Sequence, residues 1–123
     1  MNKRKIGGLY EDRAAAYLRG EGMEILVRNF RCHLGEIDLI ARDGEELVFV
    51  EVKYRYNNAC GAGEFHVDRR KQQTISRVAE VFLTRYFQSF TPYCRFDVVS
   101  ISGTGEVKHI VNAFEKNVKR RGL

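Results

Sequence analysis

The stretch that decides the fold is GEIDLIARDGEELVFVEVKYR, residues 35–55. Asp43-Gly44 at its centre is a strong hairpin signal. The segments on either side, 36–42 and 46–55, read as the two strands. LVFV is an apolar run of the kind buried in the middle of a sheet. Two charges, Glu51 and Lys53, then follow in the same strand. Side chains alternate along a strand. Val48, Val50 and Val52 therefore share one face, and Leu47, Phe49, Glu51 and Lys53 the other. On the preceding strand Ile37 and Leu39 face one way, Glu36 and Asp38 the other.

The turn sets what meets what. A four-residue loop, 43–46, pairs residues whose numbers sum to 89 and puts Asp38 directly opposite Glu51. A two-residue loop at Asp43-Gly44 makes the sum 87 and leaves Asp38 a diagonal neighbour on the same face. Directly opposed side chains have Cβ atoms about 5 Å apart, close enough for two carboxylates to share one cation. Two readings of the trio stand side by side. In the structural one, Lys53 neutralises Glu51 and Asp38 accepts backbone hydrogen bonds. In the functional one, Asp38 and Glu51 hold Mg²⁺, which commonly takes one or two carboxylates and fills its other positions with water and phosphate oxygens. Lys53 then orients the water or holds a phosphate oxygen, a set sufficient for phosphodiester hydrolysis. The strand is apolar, the three charges fall on one face at one end of the sheet, and buried ion pairs seldom stabilise a core. The functional reading fits better.

The remaining elements follow from periodicity. Residues 9–21 read as a helix ending near Gly22, 23–32 as a strand and 56–67 as a loop. Residues 68–88 read as a helix on Ile75, Val78, Ala79, Phe82, Leu83 and Tyr86, with Asp68 as N-cap. Segments 95–101 and 106–114 read as strands around Gly103-Thr104-Gly105, and 115–123 as a flexible basic tail. The order is α-β-β-β-α-β-β: a mixed sheet with a helix on each side, in one domain spanning residues 1–123.

With 123 residues, 44% hydrophobic and a single proline, the chain is long enough for a core without staples. It has no apolar run of membrane length and no secretory signal. Its three scattered cysteines point to reduced thiols, hence to a cytoplasmic protein. Its cysteines and histidines lack the paired spacing of zinc motifs. The net charge of +5 is clustered in Lys3-Arg4-Lys5, Arg69-Arg70-Lys71 and Lys119-Arg120-Arg121. Such clusters suit either a polyanion, nucleic acid first, or a plain solvated surface. Glu11 lies on the apolar stripe of Ala14, Ala15 and Leu18, either as a dipole-favoured acid or as a group reaching the metal site. Lys71, on the backward extension of the second helix's stripe, either is solvated or points at the phosphate.

Asp38, Glu51, Val52 and Lys53 resemble the PD-(D/E)xK nuclease signature, with Ile37 in place of its proline. With GEIDLI, FVEVKYR, Gly61, Val67, Lys71, RFDVV and HIVNAF, the chain resembles the YraN-like bacterial proteins. These are small predicted endonucleases related to archaeal Holliday-junction resolvases. The likeness runs from about Gly8 to Phe114. It implies a restriction-endonuclease-like α/β fold with a central mixed five-stranded sheet, and Mg²⁺ or Mn²⁺ as cofactor. It makes Asp38 and Glu51 metal ligands, the Val52 backbone carbonyl a further ligand, and Lys53 the catalytic lysine. Glu11, in YEDRA, matches the helix glutamate of the family's GE-x-x-A stretch, as a catalytic residue and candidate ligand. Lys71 matches a recurrent lysine. Gly63 stands where many relatives have proline, and Phe30 where many have tryptophan; both lie off the proposed ligands.

The expected activity is divalent-metal-dependent hydrolysis of DNA, at branched or damaged sites. The alternative is a nucleic-acid-binding module that keeps the nuclease fold without cutting. Arg31, Arg55, Arg69, Arg70 and Lys71 are the candidate contacts to backbone phosphates. No membrane partner is expected. Symmetric cutting of a junction would require two sites, hence a homodimer.

Overall fold

The elements run α1 (Lys3–Gly20), β1 (Glu24–Cys32), β2 (Gly35–Asp43), β3 (Glu46–Arg55), α2 (Arg69–Tyr86), β4 (Cys94–Ser102) and β5 (Val107–Phe114). The computed structural model describes residues 3–55 and 67–116, with side chains from residue 8 onward. The segment read as a loop, with Cys60, Gly61, Gly63 and His66, and the basic end, Lys119-Arg120-Arg121, lie outside the described residues. One five-stranded sheet has the order β1-β2-β3-β4-β5. Its β3–β4 pair is parallel, with α2 as the crossover, and its other pairs are antiparallel. This is the mixed α/β sheet expected from the element order, and it agrees with the restriction-endonuclease-like fold that the resemblance implies.

The hairpin takes the register that sums to 89, with Asp43 paired to Glu46 and Leu39 to Val50. The loop itself is Gly44-Glu45. Gly44, at φ 62°, occupies the first loop position, which tight II′ hairpins reserve for glycine. Both faces of β3 are covered, as its apolar run requires. Val48 and Val50 pack with Ala14, Ala15 and Leu18 of α1. Leu47 and Phe49 pack with Ile75, Val78 and Phe82 of α2.

Helix α1 starts six residues before the apolar spacing shows, at Lys3 rather than residue 9. It closes with paired bonds, Gly22 N–H to the Arg19 carbonyl and Met23 N–H to the Leu18 carbonyl, the Schellman pattern. Helix α2 is capped as expected: Asp68 accepts the Lys71 backbone N–H at 2.8 Å, a contact worth about 1 kcal/mol. Gly35 lets α2 lie close to the sheet, since a Cβ there would sit 2.7 Å from Thr74 Cγ2.

One expectation about faces is corrected. Ile37 and Leu39 lie on opposite sides of the sheet, Ile37 in the α2 cluster and Leu39 in the α1 cluster. The pleat is interrupted at this level. Across from Asp38, between the pairs Arg28–Leu39 and Phe30–Ile37, Asn29 adopts a left-handed φ of 54°. Among the described residues no helix is long and apolar enough to cross a membrane.

Candidate functional site

The β2–β3 ladder stops at Leu39–Val50. Beyond it, β2 stays with β1 as far as Gly35–Cys32, while β3 stays with β4 as far as Arg55–Ser102. The sheet therefore forks. The next pair in register would be Asp38 and Glu51, and they stand at the crotch of the fork. Parting the strands takes a backbone acceptor away from Val52 N–H, and Asp38 Oδ2 replaces it at 2.8 Å. In an extended strand the N–H and C=O of one residue leave on the same side, so the Val52 carbonyl also faces the fork.

This placement is electrostatically costly. Burial, then the Glu51 charge, push the Asp38 carboxyl up to about 7 against the pull of the Val52 N–H; Glu11 and Glu36 add to the rise. Burial also raises Glu51, opposed by the positive charges of Lys71 and Lys53. Lys71 Nζ lies 3.9 Å from Glu51 Oε1, whose side chain is 14% exposed. Glu11 is raised too, by burial first, with an Asn29 hydrogen bond and Arg28 opposing. Its Oε1 is buried without a hydrogen-bond partner. Because α1 begins at Lys3, Glu11 sits in mid-helix, too far from the N-terminus for the macrodipole to explain it. Tyr10, Glu11, Asp38, Val52 and Tyr54 line a cavity of about 190 Å³. A larger groove, about 660 Å³ beside Leu47, Phe90 and Tyr93, holds none of these acids.

Asp97 on β4 shows the opposite outcome for a buried acid. It is 0% exposed, and burial alone would raise it. Hydrogen bonds from His109, the Asn112 backbone N–H and Arg95 hold it below the usual carboxylate range instead. His109 Nε2 lies 2.7 Å from its Oδ2, and Asn112 N–H donates to its Oδ1 at 2.9 Å. Arg95 also reaches Glu46 and Asp43. Asp97 is satisfied on every side and ties β4 to β5. Asp38 is left facing other acids.

The other candidates divide. Lys53 follows Glu51 on the α2 side of β3 and acts on its charge. Arg69, Arg70 and Lys71 are exposed at the start of α2. Arg31 is exposed and ion-paired with Glu36. Arg55 is a correction. It is 3% exposed and donates to the Glu106 carbonyl at 2.9 Å, so it anchors the β4–β5 turn instead of meeting a phosphate. Sequence reasoning assigned no role to Glu36, whose charge acts on Glu11, Asp38 and Glu51 alike. Its place in GEIDLI, two residues before Asp38, was the available signal. It also left Asp97 unassigned, although RFDVV places a lone acid inside an apolar strand. Among the described residues no three His, Cys, Asp or Glu side chains form a ready-made metal cage.

Residues 10–101 match the model of the "Uncharacterised protein family UPF0102". A UPF0102 protein of Lachnoclostridium phytofermentans is 46% identical over 116 residues, covering 94% of this chain and 97% of that one. One of Herminiimonas arsenicoxydans is 43% identical over 110 residues, covering 89% and 86%. One of Geotalea uraniireducens is 43% identical over 118 residues, covering 93% and 92%. With the family model spanning the first helix through β4 and relatives aligned over nearly their whole length, the chain belongs to the UPF0102, or YraN-like, family.

Proposed function

We propose that the chain is a divalent-metal-dependent endonuclease that hydrolyses DNA phosphodiester bonds, at branched or damaged sites. The observation that carries this reading is the acid pair at the fork: Asp38 is raised to about 7, next to Glu51, and takes the Val52 backbone N–H in place of a strand partner. A fold that completes the shell of Asp97 leaves this pair in mutual repulsion, which a cation would relieve.

The donor set fits Mg²⁺ or Mn²⁺. Asp38 and Glu51 would hold it with the Val52 carbonyl, and the buried, unpartnered Glu11 Oε1 is a further candidate ligand. Hard cations take such oxygens and complete their shell with water and substrate. When bound, the metal supplies a more acidic water and stabilises charge on the phosphate. Lys53, beside Glu51, positions the attacking water or a phosphate oxygen. Lys71 approaches the same acids from α2 and, with exposed Arg69 and Arg70, attracts the DNA backbone. These contacts are indifferent to sequence, which suits recognition by shape.

The test is incubation of the protein with linear and branched DNA in Mn²⁺, Mg²⁺ or chelator. Metal-dependent cutting, lost in Asp38→Ala and Glu51→Ala while binding persists, is the expected result. Metal-independent binding with no cutting under any condition favours the non-cleaving module.

A further inference from the structure

The cavity beside the acid pair has a wall that hydrolysis alone does not require. Tyr10 of α1 and Tyr54 of β3 stack with ring centroids 4.3 Å apart and planes 24° from parallel. Both line the cavity that Glu11, Asp38 and Val52 also line. Tyr54 keeps 38% of its surface exposed, unlike the covered Val48 and Val50 on the same face of β3. Its hydroxyl end abuts the β4–β5 turn, where a Cβ on Gly103 would lie 3.3 Å from Oη. The ring is thus braced by Tyr10 on one side and bounded by a turn at its tip. That makes it a rigid aromatic platform next to a candidate phosphate site.

A nucleobase in a duplex is stacked on its neighbours and has no face to offer a protein ring. An unpaired or extruded base does. A nucleotide whose phosphate lies at Asp38 is within one residue's reach of the tyrosine wall, since Asp38, Tyr10 and Tyr54 line the same small cavity. We infer that Tyr54, braced by Tyr10, selects the substrate by stacking on an unpaired nucleobase beside the scissile phosphate. The preferred class is DNA with unpaired nucleotides at the cut: single strands, flaps, gaps or the open centre of a branch. The inference rests on the nuclease reading above for what happens to that phosphate, and on the ring geometry alone for the preference.

The test compares end-labelled single-stranded, flapped and fully paired DNA of equal length, using the full chain. Affinity is read by fluorescence anisotropy in chelator, and cutting in Mn²⁺. Wild type is expected to prefer the unpaired substrates. In Tyr54→Leu, the ratio of unpaired to paired affinity should fall roughly tenfold, within the range of ordinary base–aromatic stacking. Tyr54→Phe, which keeps the ring face, should retain the ratio. Equal or tighter binding of paired DNA by wild type overturns the inference, and so does an unchanged ratio in Tyr54→Leu with a native circular-dichroism spectrum. If Tyr54→Leu does not fold, the wild-type preference and the Tyr54→Phe ratio still decide. Metal-dependent cutting without the preference defeats the stacking surface and leaves the nuclease. A Tyr54-dependent preference with no cutting in any metal defeats the nuclease and leaves the stacking surface.

Discussion

Asp38 accepts the backbone N–H of Val52 at 2.8 Å, so one carboxylate both closes the fork of the sheet and bears the charge that strains it. Asparagine would keep the acceptor and remove the charge. We therefore expect Asp38→Asn to abolish cutting yet stabilise the metal-free protein at about pH 8. A rise from 3.8 to about 7 corresponds to a gain on the order of 4 kcal/mol. The sign follows from linkage. The folded carboxyl holds its proton up to about pH 7, whereas the unfolded one releases it near pH 4. Asp38 therefore costs nothing below about pH 4, costs progressively more as pH rises, and costs the full amount above about 7. Thermal melts should show the gain at pH 8 shrinking toward pH 4. A gain of equal size at both ends refutes the linkage.

Cation binding should release a proton at neutral pH. Near pH 7 the Asp38 carboxyl is close to half protonated, and a ligand must be ionised to coordinate. Calorimetry with Mn²⁺ should then give an enthalpy that depends on the ionisation enthalpy of the buffer at pH 7 and loses that dependence by about pH 8.5. Glu51→Gln removes one proposed ligand and the neighbour that helps raise Asp38, so both affinity and buffer dependence should fall. Chelator should lower the melting temperature of the loaded wild type and leave Glu51→Gln unmoved.

Arg55 and the start of α2 should behave differently toward salt. Arg69 and Arg70 are exposed, and replacing both with alanine should flatten the dependence of log affinity on log salt for duplex DNA by roughly 1.8. Arg55→Ala should leave that slope alone and lower the melting temperature, because it removes the clamp on the Glu106 carbonyl. A lowered salt slope in a folded Arg55→Ala would contradict its assignment as an anchor.

Asp97 should be among the most sensitive positions for stability. Asp97→Ala leaves Arg95 and the Asn112 N–H without their buried acceptor, and losses of roughly 3–5 kcal/mol accompany such a broken pair. Its carboxyl is held low in the fold. Its contribution is therefore present above about pH 4 and disappears as pH falls through the folded value. Urea titrations at pH 7 and pH 3 should show the variant's deficit at the first and its narrowing at the second.

The hairpin was legible because Asp-Gly and an apolar run of β length leave few alternatives. The face of Ile37 was not, because it depends on Asn29 in another strand adopting a conformation that nothing local demands. The early start of α1 was hidden by Gly7-Gly8, which carry no apolar period. Arg55 read as surface because it follows the charged end of β3. What buries it is a turn some fifty residues later, brought alongside by the parallel β3–β4 pairing. Asp38 and Glu51 could be found from alternation and register alone. That the strands part between them could not, since pairing rules describe where a ladder runs and say little about where it ends.

Asn29 and Asn112 share the left-handed backbone, at φ 54° and 53°, and they lie in β1 and β5, the two outer strands of the sheet. Each outer strand also departs from regular pairing, β1 between Ile25 and Val27 and β5 across from the Phe96–Val98 step, so neither border is one long regular row of free amides and carbonyls. Such irregularities discourage strand-by-strand accretion into fibrils. The left-handed residue that flanks the acid pair at Asn29 thus lies on a border poorly suited to adding a further strand.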